Sequence, residues 1–172
     1  PSIDLKKVSC CLTTKDPVYP QAILDKVKTA GFGEVLILLN STSPHYKYKL
    51  FEAAKFDHIY YQDDDAICPI QEIAYNFKPN MINLAMKDSH YNGYSHTRMT
   101  MGLGWGAIFP KAMLASLKKY TDVWGEDEVY KRDTERILTC LNWPQNRLIL
   151  PITDLPSAWA DDRLYRQPHH SE

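Results

Sequence analysis

Short apolar, β-prone runs alternate with amphipathic helical segments along most of this chain, and that alternation restricts the fold more than any other feature. Residues 7–13 (KVSCCLT) are β-prone and lead into Thr13-Thr14-Lys15-Asp16-Pro17. Residues 20–30 place Ile23, Leu24 and Val27 on one helical face and stop at Gly31. Residues 34–39 (EVLILL) are continuously apolar, the pattern of a strand covered on both faces, and end in the turn-rich Asn40-Ser41-Thr42-Ser43-Pro44. A short helix is predicted over 47–55, a third strand over 58–62, a helix over 69–77 with proline near its first turn, and a fourth strand over 81–87. Residues 100–109 carry glycines within an apolar segment. Further helices are predicted over 111–120, with Met113, Leu114 and Leu117 inward, and over 127–141. Residues 143–172 show no clear periodicity, and 151–172 read as an irregular tail. Alternating β and α segments predict an α/β/α sandwich with a mostly parallel central sheet, one domain spanning 1–172.

Composition supports a folded chain. It has 172 residues, is 44% hydrophobic and carries a net charge of −1, enough apolar material for a core and too little charge for disorder. The near-neutral balance gives no overall electrostatic case for nucleic acid, although Lys111, Lys118, Lys119, Lys131, Arg132 and Arg136 could form a local basic patch. Cys10, Cys11, Cys68 and Cys140 show no C-x-x-C spacing, and the expectation is buried, reduced thiols in a cytoplasmic setting. No secretory leader is recognisable, and no apolar run approaches the roughly 20 residues that cross a bilayer.

Open parallel sheets bind ligands beyond the carboxyl ends of their strands. Polar clusters follow each of the first three strands: 13–16, 40–43 and the aspartate triplet Asp63-Asp64-Asp65. Three polar strand ends on one edge describe a nucleotide pocket. No G-x-x-x-x-G-K-[ST] occurs, which disfavours a P-loop. The only glycine-rich segment, 102–106 (GLGWG), lies far from the first strand, which disfavours a dinucleotide site. Three adjacent carboxylates repel one another, and a divalent cation that prefers oxygen ligands, Mg²⁺ or Mn²⁺, offsets the repulsion. Strand alternation would turn Asp63 and Asp65 to one face and Asp64 to the other.

In this order the residues resemble GT-A glycosyltransferases. The likeness rests on the polar ends of strands one and two and on the D-x-D of Asp63 and Asp65. It continues through 104–111 (GWGAIFPK), the acidic pair Glu126-Asp127, the acidic helix 132–137 of small phage-type members and the late pair His169-His170. The resemblance covers residues 7–170 and implies transfer of a sugar from a nucleotide-sugar donor, a UDP-sugar by first expectation, to a hydroxyl acceptor. It also implies a histidine that completes the metal shell, His170 or His169.

Within that reading, Asp65 is the best metal ligand, Asp63 serves the ribose, a metal-bound water or the metal, and Asp64 serves the ribose or the sugar hydroxyls. Thr13, Thr14, Lys15 and Asp16 would meet the base and ribose. Asn40 stands where many members of the family place an Asp. A carboxylate must take the acceptor's proton, and Asp127 and Asp133 are the two candidates, a placement that suits inversion at the anomeric carbon. Residues 90–98 (HYNGYSHTR) have the composition of a mobile lid. The phage-like segments suggest a hydroxymethyl-pyrimidine of viral DNA as acceptor, with a surface glycan or small molecule as the rival. A nucleotidyltransferase or a non-catalytic sugar-nucleotide-binding module is the alternative from another class.

Overall fold

The computed structural model describes residues 2–88 and 101–155. A six-stranded sheet runs in the order β2-β1-β3-β6-β5-β7. Its strands are β1 (Val8–Thr13), β2 (Glu34–Leu38), β3 (His58–Gln62), β5 (Asn83–Met86), β6 (Ala107–Pro110) and β7 (Asn146–Ile149). β1 pairs in parallel with both β2 and β3, and β5 pairs in parallel with β7. Only β6 is reversed, antiparallel to β3 on one side and β5 on the other. A separate two-stranded ribbon joins β4 (Ala66–Ile67) to β8 (Thr153–Asp154).

Alternating side chains along the central strands feed two cores. Val8, Cys10, Leu12, Tyr60 and Ile108 pack with Ile23 and Val27 of α1 (Gln21–Ala30) and with Ile70, Ile73 and Ala74 of α3 (Ile70–Tyr75). Cys11, Ile59, Tyr61 and Phe109 face the other way. They meet Tyr48 and Phe51 of α2 (Lys47–Ala53), Leu117, and Leu138 of the longest helix. That helix, α5 (Glu128–Leu141), follows α4 (Lys118–Trp124). Helices therefore cover both faces, and every residue of β1 is buried, the polar Ser9 and Thr13 included.

The α/β class and the mostly parallel sheet are as the alternation predicts. α1 stops where expected, at Gly31, whose φ of 77° is the left-handed conformation that ends a helix. Four details differ. β2 is an edge strand rather than a doubly covered one, and Val35 and Ile37 stay 42% and 41% exposed. The glycine-bearing segment ends in a strand, β6, which the interrupted apolar pattern concealed. Residues 111–117 wind as a 3-10 helix before α4 begins. The stretch without periodicity, 143–172, contains β7 and β8, each too short to show a period in the sequence.

All four cysteines are free, and three are buried. Burial pushes the Cys11 thiol up to about 12 and raises Cys10 as well, so these are protonated packing residues rather than nucleophiles. Among the described residues no helix is long and apolar enough to cross a membrane.

Candidate functional site

Because β1, β2 and β3 are parallel neighbours, their carboxyl ends lie side by side, and the three polar clusters meet there. Backbone bonds join the first two ends. The Thr14 N–H donates to the Leu38 carbonyl at 3.0 Å, the Ser41 N–H to the Thr14 carbonyl at 2.9 Å, and the Asn40 N–H to the Asp16 carbonyl at 3.1 Å. Asn40 holds a φ of 54°, a left-handed conformation that Asn accepts more readily than most residues. The first and third ends are joined by a side-chain bond, from the buried Thr14 hydroxyl to Asp64 Oδ2 at 2.5 Å. The same hydroxyl accepts the Asp16 N–H at 3.2 Å. Thr13 is buried as well, whereas Lys15 and Asp16 are half-buried.

The triplet does not continue the strand. β3 ends at Gln62, and Asp64 and Asp65 form the turn into β4, so strand alternation does not govern where their carboxylates go. Asp63 Oδ1 accepts the Tyr61 hydroxyl at 2.7 Å, and the Asp63 N–H donates to the Gly104 carbonyl at 2.9 Å. Its own carbonyl accepts from Gln62 Nε2 at 3.0 Å. Gly104 leaves no room for a side chain, since a Cβ there would stand 2.1 Å from Asp63 Oδ2. The Asp65 carbonyl accepts the Leu155 N–H at 2.9 Å and so anchors the β4–β8 ribbon beside the turn.

Burial raises the Asp63 carboxyl to about 6, with the Lys47 ammonium and the Tyr61 hydroxyl opposing the rise and the Glu135 and Asp64 charges adding to it. Lys47, only 7% exposed, pairs with Glu135 Oε1 and sits 4.7 Å from the centroid of the Tyr61 ring. Glu135 Oε2 accepts the Leu103 N–H at 3.0 Å. Buried Tyr19 also borders the triplet; burial raises its phenol, and the Asp64 and Asp63 charges raise it further.

Sequence reasoning missed Lys47, Tyr61, Glu135 and Tyr19. The buried face of α5 runs through Tyr130, Thr134 and Leu138. Thr134 lies on it because its hydroxyl is satisfied by the Tyr130 carbonyl at 2.5 Å.

The two acids expected to act as base lie elsewhere. Asp127 is the N-cap of α5, its Oδ1 accepting the Tyr130 N–H at 3.0 Å. Asp133 pairs with Arg132 at 2.9 Å and stands 3.8 Å from Arg136. Asp133 and Glu135 are two residues apart, about 200° around a helix, so they leave α5 on opposite sides. Asp127 and Asp133 share a pocket of about 490 Å³ with Tyr120, Trp124, Val129, Tyr130 and Ile137, and no strand-end residue lines it.

Much of the expected basic patch is engaged within the chain, three of its side chains by carboxylates and Lys111 by backbone carbonyls. Lys111 donates to the Glu52 and Ala54 carbonyls at 2.9 and 2.6 Å, Lys118 pairs with Asp122, Lys131 with Glu126 and Glu128, and Arg132 with Asp133.

Carboxylate oxygens are the donors that suit Mg²⁺ or Mn²⁺, which take one or two carboxylates and complete their shell with water and phosphate. Among the described residues no three His, Cys, Asp or Glu side chains converge as a metal cluster. His169 and His170 lie outside the described residues, as does the expected lid over 90–98. Comparison of the chain with family models, curated proteins and solved structures found no match.

Proposed function

We propose that the chain is a nucleotide-sugar-dependent glycosyltransferase whose donor binds across the carboxyl ends of β1, β2 and β3. The observation that carries this reading is the bond from Thr14 to Asp64, which joins the first strand end to the acidic third one. A nucleotide needs acceptors for its ribose hydroxyls close to polar groups for its base, and this edge offers both. Lys15, Asp16 and Asn40 would address the base and ribose, and Asp64 the ribose or sugar hydroxyls. Asp65, with His169 or His170, would hold Mn²⁺ or Mg²⁺, which when bound neutralises the diphosphate as it leaves. Asp63 faces Tyr61 and the buried Lys47, so it serves this site by shaping it rather than as the main ligand.

The acceptor is a hydroxyl, either a hydroxymethyl-pyrimidine of viral DNA or a glycan. A second reading, a sugar-nucleotide-binding module without turnover, gains from the structural bonds already made by Asp127 and Asp133. Thermal shift with UDP, GDP, CDP and TDP, with Mn²⁺ and with chelator, tests the donor site. A cation-dependent shift for one nucleotide, lost in Asp65→Ala, is expected, and no shift with any of the four would sink the proposal. Release of nucleotide from a panel of donor sugars then separates enzyme from binding module. Salt titration of DNA binding separates the two acceptors, because phosphate contacts weaken steeply with salt.

A further inference from the structure

A lysine that is 7% exposed requires an explanation, because burying an ammonium is unfavourable unless it is paired. Lys47 is paired with Glu135, and the pair sits between two routes to Asp63. One route runs from α2: Lys47 lies against the Tyr61 ring, and the Tyr61 hydroxyl donates to Asp63 Oδ1. The other runs from α5. Glu135 takes the Leu103 N–H, the next residue is Gly104, and the Gly104 carbonyl takes the Asp63 N–H. Gly102 passes so close that a Cβ there would stand 3.3 Å from Glu135 Oε2. One helical turn on from Glu135, Thr139 Oγ1 accepts the Met101 N–H at 3.0 Å and donates to the Met101 carbonyl at 3.1 Å. Residues 101–103 are thus laid along α5 by two polar side chains on one face.

We propose that Lys47 and Glu135 are positioning residues, an ion-pair clamp that fixes Asp63 through Tyr61 on one side and through Leu103–Gly104 on the other. They shape the third strand end from helices that contribute no strand-end residue. A consequence for donor affinity rests on the nucleotide-sugar reading; the ordering of Asp63 does not.

Removing one partner alone strands a buried charge, whereas replacing both with apolar residues of similar volume is often neutral for stability. The test is therefore the double variant Lys47→Met/Glu135→Met in the full chain. Amide hydrogen exchange is followed by NMR, together with UDP affinity in Mn²⁺. Expected are a melting temperature within a few degrees of wild type and exchange at Leu103 and Asp63 faster by tenfold or more. The β1 amides of Cys10 and Cys11 should be unchanged, and UDP affinity tenfold weaker or worse. Unchanged Asp63 protection in the folded double variant would overturn the proposal, because a merely structural pair loses its effect once stability is restored.

Glu135→Asp provides a second arm should the double variant not fold. It keeps the charge but is one methylene too short to serve both Leu103 and Lys47. Faster exchange at Asp63 supports the clamp, and wild-type exchange there overturns it. If wild type binds no nucleotide at all, the donor reading fails while the amides still decide whether the clamp exists.

Discussion

The end of β3 and the pocket between α4 and α5 both gather aspartates, yet the two places treat them differently. At β3, Asp63 is locked by a phenol, a backbone carbonyl that takes its N–H and a neighbouring buried lysine, and its pKa is raised. In the helical pocket, Asp127 is spent on a helix cap and Asp133 on an ion pair with Arg132, beside a Trp124 that is 55% exposed. At the first place the Tyr61 bond is local, but Gly104 and Thr14 tie Asp63 and Asp64 to distant parts of the chain. At the second, each acid is held by a residue within three positions of it in sequence. Under the proposed function, ligand chemistry falls to the strand ends and local helix architecture to the pocket.

The largest expected effect comes from crowding the first place. Gly104→Ala would put a methyl group into the Asp63 carboxylate. Asp63 must then leave Tyr61 or the segment must shift, at a cost of about 1–3 kcal/mol, typical of overpacking. Urea unfolding checks the stability, and nucleotide affinity should fall together with it. Wild-type affinity in Gly104→Ala would mean that the position of Asp63 does not matter to the ligand, and the comparison would lose its first half.

Next comes the pH dependence of stability. In the unfolded chain Asp63 ionises near the ordinary carboxylate value of about 3.9. In the folded chain burial raises it to about 6. Between these values the folded state keeps a proton that the unfolded state has released, so the Asp63 contribution makes stability fall as pH rises from about 4 to 6, then level off. Asp63→Asn removes that contribution. Plotted against pH, the stability of wild type minus that of the variant should decline across this window and be flat above it. A difference that rises with pH would show Asp63 stabilised as a carboxylate, with Lys47 outweighing burial.

How much of this contrast was legible in the sequence depends on the range of the interaction. The three strand ends were legible because they follow from local pattern: apolar runs that stop at Thr13, Leu39 and Gln62, and a parallel sheet that must align their ends. The Asp127 cap has a local signature too, an acid just before a helical run. Lys47 and Glu135 were not legible. They are 88 residues apart, and each looks like an ordinary solvated charge on an amphipathic helix. Only the packing of α2 and α5 on one face of the sheet brings them together. β7 escaped for a similar reason, since four residues at a sheet edge owe their conformation to β5 rather than to their own period.

The smallest expected effects concern the pocket, and they are the ones able to break the comparison from its other side. Asp127→Ala removes the bond to the Tyr130 N–H and should cost about 1 kcal/mol. Asp127→Asn keeps a side-chain oxygen at the cap, and Asn caps as well as Asp, so its stability should match wild type within error. Asp133→Ala breaks a half-exposed pair with Arg132 and should cost at most about 1 kcal/mol. If the pocket is architectural, Asp127→Asn transfers sugar at the wild-type rate. If Asp127 takes the acceptor's proton, the asparagine variant folds normally but loses about 10²-fold or more in turnover with unchanged donor affinity. Because the cap survives that substitution, a loss of turnover could not be blamed on the helix, and it would move the acceptor chemistry back to the pocket between α4 and α5.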